Sequence, residues 1–315
     1  MNRRIFARGL VAVAATAAGE PRSGLADSAA RRAKDCGSPS TGGITEADFQ
    51  RYIAAFNRSD FDAFGRFYAP DVEFEGQGGT FHGRDAVLAF YRKVKSKLRE
   101  TIRVRSITQD ESGLVADLVT QLEARVDWPD FPTGALRAGE TRRSENFIWY
   151  EARAGAFTHV RSAHYQSGAE IEPLDARPRA ASCGPTMSAE KFRSYIDAFN
   201  QDDYAAFGDY YDPDVELVIV GRKALRGRQA IFDFYREVKA QTHRVIEVDK
   251  LIRAPDRLAA ELHSEFVAQE DSPHFIAGAM KRGERIFIRT FVLYELREGR
   301  FARIRSAEFR KLARS

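Results

Sequence analysis

The chain has 315 residues, 43% of them hydrophobic and 30% charged, with 49 Lys and Arg against 45 Asp and Glu. This is an ordinary globular composition, and the length suggests about two domains. The net charge of +4 is spread without any block of one sign, which argues against a nucleic-acid partner, because phosphate binding needs a concentrated basic face.

The chain opens with Asn2-Arg3-Arg4-Ile5-Phe6-Ala7-Arg8 and then a short Ala-rich apolar run, Gly9 to Ala18. A basic start, an apolar run and small residues follow signal-peptide grammar, and the run is too short to span a bilayer. The paired arginines and weakly hydrophobic core resemble a bacterial twin-arginine export signal over residues 1–26. That resemblance implies a periplasmic or secreted protein without a stable membrane anchor; the plainer reading is a disordered start. Cleavage after Ala17, Ala18 or Ala26 stays open.

Residues 27–43 read as a flexible lead-in with Cys36, and residues 167–187 as a Pro-rich linker with Cys183. In an oxidising compartment these two cysteines would be able to form one disulfide; two free surface thiols is the equal alternative.

Between them, residues 44–166 form the first copy of a repeat, and residues 188–315 form the second. Tyr52-Ile53-Ala54-Ala55-Phe56-Asn57 returns as Tyr195-Ile196-Asp197-Ala198-Phe199-Asn200, an offset of 143 residues that becomes 144 by Gly83 and Gly227. Across residues 127–165, sixteen of 39 positions are identical at that offset. The period is too long for a solenoid, and each copy is near the common domain size, so the chain reads as a tandem duplication.

Within copy one, Thr45 with Asp48 marks a helix start, and Phe49, Tyr52, Ile53 and Phe56 form one apolar face. Ser59 is expected to cap a second helix carrying Phe61, Phe64, Phe67 and Tyr68, which Pro70 stops. A short strand at 72–75, a Gly-rich turn at 76–83 and a third helix through Val87 and Phe90 follow. Four strand-like runs, 102–109, 114–126, 141–151 and 157–165, complete the copy. Copy two repeats this order. Long successive strands after helices predict an α+β fold: a curved antiparallel sheet with three helices on one side, twice over.

The Tyr-Ile helix, the Phe-Gly-x-x-Tyr-x-Pro-Asp-Val-Glu segment (Phe64 to Glu73, Phe207 to Glu216) and the His82-Gly83-Arg84 helix start carry a resemblance. They are similar to the SnoaL-like and ketosteroid isomerase-like domains of the nuclear transport factor 2-like superfamily. The resemblance implies two cone-shaped α+β barrels, each with an apolar pocket, paired within the chain as an intramolecular pseudo-dimer. It implies a small apolar ligand, no cofactor, and either acid–base chemistry of a cyclase, isomerase or dehydratase, or ligand binding and protein interaction without catalysis. The isomerase's oxyanion-hole tyrosine falls on Tyr52 and Tyr195. Its carboxylate base falls on Gly76 and Ile219, neither of which takes a proton.

Other candidates lie in the sheet and its loops. Val160, Ser162 and His164 share a strand face, matched by Ile304, Ser306 and Glu308. A pocket histidine works as acid or base near neutral pH; an inert strand-end histidine is the plainer alternative. The loop Asp127-Trp128-Pro129-Asp130-Phe131 offers a pocket mouth, with Trp128 and Phe131 against the ligand and Asp127 or Asp130 as base. Turn chemistry explains the same residues. Its partner loop carries His274, and His263 stands beside Glu265 on one strand face that is either polar pocket or solvated surface. The expectation places catalysis in copy one, on His164, Asp130 and Asp127. Ligand contacts are expected from Tyr52, Trp128, Phe131, Ser162, Tyr195, His263, His274 and Glu308. No His/Asp/Glu spacing demands a metal.

Overall fold

The structure is a computed structural model that describes residues 40–167, 187–219 and 224–312. Residues 1–26, expected to be an export signal, Cys36, Cys183 and most of the linker lie outside the described residues.

A two-stranded ribbon, β1 (Ser40–Thr41) and β2 (Ile44–Thr45), leads into α1 (Glu46–Asn57). Thr45 and Asp48 form the reciprocal cap that the sequence suggests. Asn57 follows the apolar face and has its own task. Its side chain donates to the Ile102 carbonyl and accepts from the Ile102 N–H, both at 2.8 Å. Asn200 does the same to Ile246, at 2.9 Å each. One amide thus pins the end of the first helix to the sheet in each copy, which accounts for the repeated Phe-Asn.

The second helix, α2 (Phe61–Gly65), is shorter than expected. Its cap is Asp60, whose carboxylate accepts from the Ala63 N–H at 3.0 Å, while Ser59 takes a left-handed φ of 59° in the turn before it. The chain is already extended at Tyr68, so Pro70 lies inside β3 (Tyr68–Gly76) and does not stop a helix. Proline is tolerated there because the register jumps from Tyr68 opposite Phe157 to Glu73 opposite His159, leaving the bulged stretch without ladder bonds. The Gly-rich turn is a hairpin into β4 (Gly79–His82). Gly83 then starts α3 (Arg84–Lys97) with φ +85°, donating its N–H to the Val72 carbonyl at 2.7 Å. Gly227 repeats both features, so the glycine of the His-Gly-Arg segment is a backbone requirement.

Four long strands close the copy: β5 (Leu98–Asp110), β6 (Gly113–Ala124), β7 (Thr141–Arg153) and β8 (Ala156–Ser167). Copy two has α4 (Ala189–Asn200), α5 (Tyr204–Gly208), β9 (Tyr211–Ile219), β10 (Leu225–Arg226), α6 (Arg228–Gln241), β11 (Thr242–Ala254), β12 (Arg257–Ala268), β13 (Arg285–Arg297) and β14 (Arg300–Leu312). The two six-stranded sheets run β4-β3-β8-β7-β6-β5 and β10-β9-β14-β13-β12-β11. Each is antiparallel except for one parallel pair, β3 with β8 and β9 with β14. There the strand after the second helix lies beside the last strand of its copy, a pairing between distant segments that local strand patterns do not reveal.

Each sheet is covered on both faces. The three helices pack on one face, around Phe49, Phe56, Phe64 and Phe157 in copy one and Phe192, Phe199, Phe207 and Phe301 in copy two. The other faces pack against each other through Val115, Phe147, Trp149, Ile252, Phe291 and Ala307. Burial on both sides makes β6 continuously buried from Gly113 to Thr120 rather than alternating.

Two buried ion pairs cross this seam. Arg161 of copy one donates to Glu261 of copy two at 2.5 Å, and Arg305 of copy two donates to Asp117 of copy one at 2.6 Å. Residue 161 aligns with 305 and 117 with 261, so the pairs are the same contact seen from either side. Asp117 holds the Arg305 guanidinium well above the ordinary arginine range despite its burial. Flanking pairs exchange sign between copies. Arg105 pairs with Glu145 in one, and at the aligned positions Asp249 pairs with Arg289 at 3.6 Å in the other.

Candidate functional site

A cavity of about 460 Å³ lies inside the cone of copy two. Helix α4 supplies Tyr195, Ile196 and Phe199, α6 supplies Phe234, Tyr235 and Val238, and the sheet supplies Leu262, Phe266, Ile288, Val292 and Ile304. The alternation of the strands decides this lining: Leu262, Ser264 and Phe266 face in, and the residues between them face the opposite side. The loop after β12 closes over the cavity with Ile276 and Ala277. Mostly apolar walls with a few convergent polar groups are the usual makeup of a small-molecule pocket.

The polar groups gather in two places. Toward solvent stand Glu308, which is exposed, and Ser306, both from β14, with half-buried His164 from β8 of copy one. His164 therefore joins a cavity whose other lining residues all come from copy two. Burial lowers its pKa below the ordinary histidine value, so at neutral pH the imidazole is uncharged and able to accept a proton.

Within the cone, Arg244 of β11 lies against the rings of Phe266, Phe199 and Tyr235, with guanidinium-to-centroid distances of 4.8, 5.3 and 5.8 Å. Its Nη2 donates to the Ser264 hydroxyl at 3.3 Å. Its Nε is shielded from solvent and has no hydrogen-bond partner. The Tyr195 and Tyr211 hydroxyls meet at 3.1 Å. Burial raises both tyrosines far above the ordinary phenol value, which leaves them as neutral hydrogen-bonding groups.

The same place in copy one carries the opposite charge. Residue 244 aligns with Glu100, between Leu98 and Ile102 on the inward face of β5. Burial pushes the Glu100 carboxyl up to about 7, against a smaller opposing pull from Lys95. One of its oxygens is buried without a hydrogen-bond partner. The neighbouring tyrosines are kept: Tyr52 meets Tyr68 at 2.7 Å, and burial first, with Glu100 second, raises Tyr91. Farther along the same interior, Gln77 donates to Asn146 at 2.9 Å, and Asn146 donates to Thr120 at 3.3 Å. Copy two has Thr290 and Ser264 at the positions of Asn146 and Thr120, both lining its cavity.

The structure distributes the sequence candidates unevenly. His164, Tyr195 and Glu308 line the cavity together. Tyr52 is a core residue of copy one, and Ser162 lies inside copy one, opposite Ile148 on the neighbouring strand. Trp128 and Phe131 pack with Val94, Leu98 and Leu136 in a small core beneath their own loop, fixed by the paired backbone bonds of Trp128 and Leu136 at 2.8 and 3.0 Å. The Asp127 carboxylate is exposed and accepts from the Ala138 N–H at 2.8 Å, as Asp271 accepts from Arg282 at 2.9 Å. Turn chemistry accounts for that aspartate in both copies. Asp130 and His274 are exposed and line no part of the cavity. His263 lies on the face of β12 opposite Ser264, beside the Phe287 ring. Ile219, at the position of the isomerase base, is a cavity wall. The expected centre in copy one thus shares only His164 with the cavity. Among the described residues no three His, Cys, Asp or Glu side chains converge as a metal-holding group.

Helices packed on one face of a six-stranded mixed sheet, twice in one chain, make a tandem of two α+β cone folds. The SnoaL-like domain family matches residues 49–160 and again 192–304. The chain belongs to that family, as a tandem of two SnoaL-like domains. Similar solved structures include a Xanthomonas campestris protein assigned as a polyketide cyclase, 25% identical over 42% of this chain and 90% of its own, with a TM-score of 0.33. A SnoaL-like polyketide cyclase from Agrobacterium tumefaciens is 22% identical over 37% of this chain and 87% of its own, TM-score 0.32. An LEH-like epoxide hydrolase from Mycobacterium tuberculosis is 12% identical over 37% and 78%, TM-score 0.31. Comparison with curated proteins returned no match.

Proposed function

We propose that this chain is an exported protein that takes a small, largely apolar carbonyl compound into the cavity of copy two and moves a proton on it without a cofactor. The single observation that carries the reading is the convergence of His164 from one copy with Glu308 and Ser306 from the other on one apolar cavity. In this mechanism the neutral His164 imidazole takes a proton from the carbon beside the carbonyl. The electron pair moves onto the carbonyl oxygen as an enolate. The imidazolium then returns the proton to another atom of the same molecule, so the net reaction is an isomerisation or ring closure. Exclusion of water by Ile276, Ala277 and the apolar walls strengthens each of these interactions. The export assignment rests on the basic and apolar start of the sequence.

The test is incubation of the full chain with aromatic polyketides, steroids and terpenoid ketones in D2O, with mass spectrometry following both product and deuterium taken up by the ligand. Deuterium uptake that disappears in His164→Gln supports the reading. Uptake that persists in this variant removes His164 from the chemistry. Tight binding with no uptake and no product overturns the enzyme reading in favour of a ligand carrier, for which the apolar lining is equally suited.

A further inference from the structure

Among the described residues Arg244 has no counter-charge. The arginines at the seam between the copies face carboxylates: Arg161 meets Glu261 at 2.5 Å, Arg305 meets Asp117 at 2.6 Å, and Arg105 pairs with Glu145 and lies 3.8 Å from Asp117. Among the described residues no carboxylate lies within ion-pair distance of Arg244. Its neighbours are aromatic faces and the Ser264 and Tyr235 hydroxyls, and its Nε is shielded from solvent without a hydrogen-bond partner.

An uncompensated cation in an apolar cone is costly to keep. Packing alone does not account for it, because the aligned position in copy one is filled by Glu100 among the same kinds of neighbour. The Arg244 side chain lines the cavity. A guanidinium presents a planar fork that fits a carboxylate with two parallel bonds, and Ser264 and Tyr235 stand beside it as neutral hydrogen-bonding groups.

We infer that the molecule bound in copy two carries a carboxylate, held by the Arg244 fork, with its apolar body along Leu262, Val292 and Ile304 toward His164 and Glu308. This deepens the proposed function and rests on its cavity. It narrows the ligand from any small apolar carbonyl compound to an apolar acid. At residue 100 a carboxyl stands in place of the guanidinium, so copy one offers the same acid no cationic partner.

The experiment uses two probes that differ only at the polar end, biphenyl-4-carboxylic acid and biphenyl-4-carboxamide, titrated calorimetrically into the full chain. A charged hydrogen-bond pair predicts about 10- to 100-fold tighter binding of the acid. Arg244→Met, close in shape but uncharged, is expected to abolish the acid's advantage over the amide. Equal binding of acid and amide to the unmodified chain overturns this inference and leaves the cavity reading standing. Binding of neither probe overturns both. Comparing two probes on the unmodified chain decides the matter even if Arg244→Met does not fold, and Arg244→Lys then asks whether the fork or the charge alone gives the preference.

Discussion

Replacing Glu100 with Gln isolates a single buried charge. The carboxyl is held up at about 7, against an ordinary value of 4.5, because burial outweighs the pull of Lys95. At about 1.36 kcal/mol per pH unit, that difference amounts to about 3 kcal/mol of stability that depends on pH. The sign follows from which state holds the proton. Below about pH 4.5 the carboxyl is protonated whether the chain is folded or not, and stability is at its full value. Between 4.5 and 7 the unfolded chain releases the proton while the folded chain keeps it, so stability falls. Above about 7 the folded form must carry the buried charge and the loss is complete. Glu100→Gln has nearly the shape of the protonated acid and cannot ionise. Urea unfolding of both proteins, followed by circular dichroism from pH 4.5 to 8.5, should give near-equal stabilities at the acid end. The variant should lead by about 3 kcal/mol at the alkaline end. A constant difference across the range, or a variant less stable at pH 8, would refute the reasoning. Either result would mean that Glu100 is hydrated or paired.

Other expectations follow from the same geometry. Arg305→Met leaves Asp117 buried beside Arg105 alone, and urea unfolding should show a loss of about 3–5 kcal/mol; adding Asp117→Leu should recover most of it. Asn200→Ala removes both hydrogen bonds to Ile246 and should cost about 1–3 kcal/mol in the same assay. His164 works as a base only when neutral, and burial lowers its pKa from 6.5. The proton-transfer rate should therefore hold from pH 8 down to 6.5 and fall only in more acid solution, whereas an apparent pKa above 6.5 would contradict its placement. Asp127→Asn keeps a carbonyl acceptor for the Ala138 N–H, so deuterium uptake by the ligand should be unchanged.

The fold was legible because the duplication prints each pattern twice. Phe49, Tyr52, Ile53 and Phe56 recur at helical spacing, and the matched turn residues set the order of elements. The short second helix was overread because Phe67 and Tyr68 continue an apolar pattern that serves strand β3 equally well. Pro70 reads as a helix stop in the sequence and sits in a bulge of β3 in the structure. Of the candidate site, the inward alternation of Ile304, Ser306 and Glu308 could be read directly, and so could the choice of Tyr195 on the first helix of its copy. Arg244 and Glu100 were missed, although a signal was present: each is a charged residue at an inward position of its strand, between Thr242 and Ile246 or Leu98 and Ile102. A carboxylate that ties down a loop backbone, as Asp127 does, and one that takes a substrate proton are the same residue type, and only the neighbours distinguish them. The meeting of His164 with the cavity of copy two depends on how the sheets pack, which no local pattern encodes.

The central claim is that the cavity of copy two is where the ligand binds. Ala277→Trp would fill that cavity from its closing loop, and Thr133→Trp places the same bulk at the aligned position of copy one. Calorimetric titration with biphenyl-4-carboxylic acid should show binding abolished in the first variant and unchanged in the second, with both melting like the unmodified chain. Binding that survives in Ala277→Trp and is lost in Thr133→Trp would contradict the account and move the site to copy one.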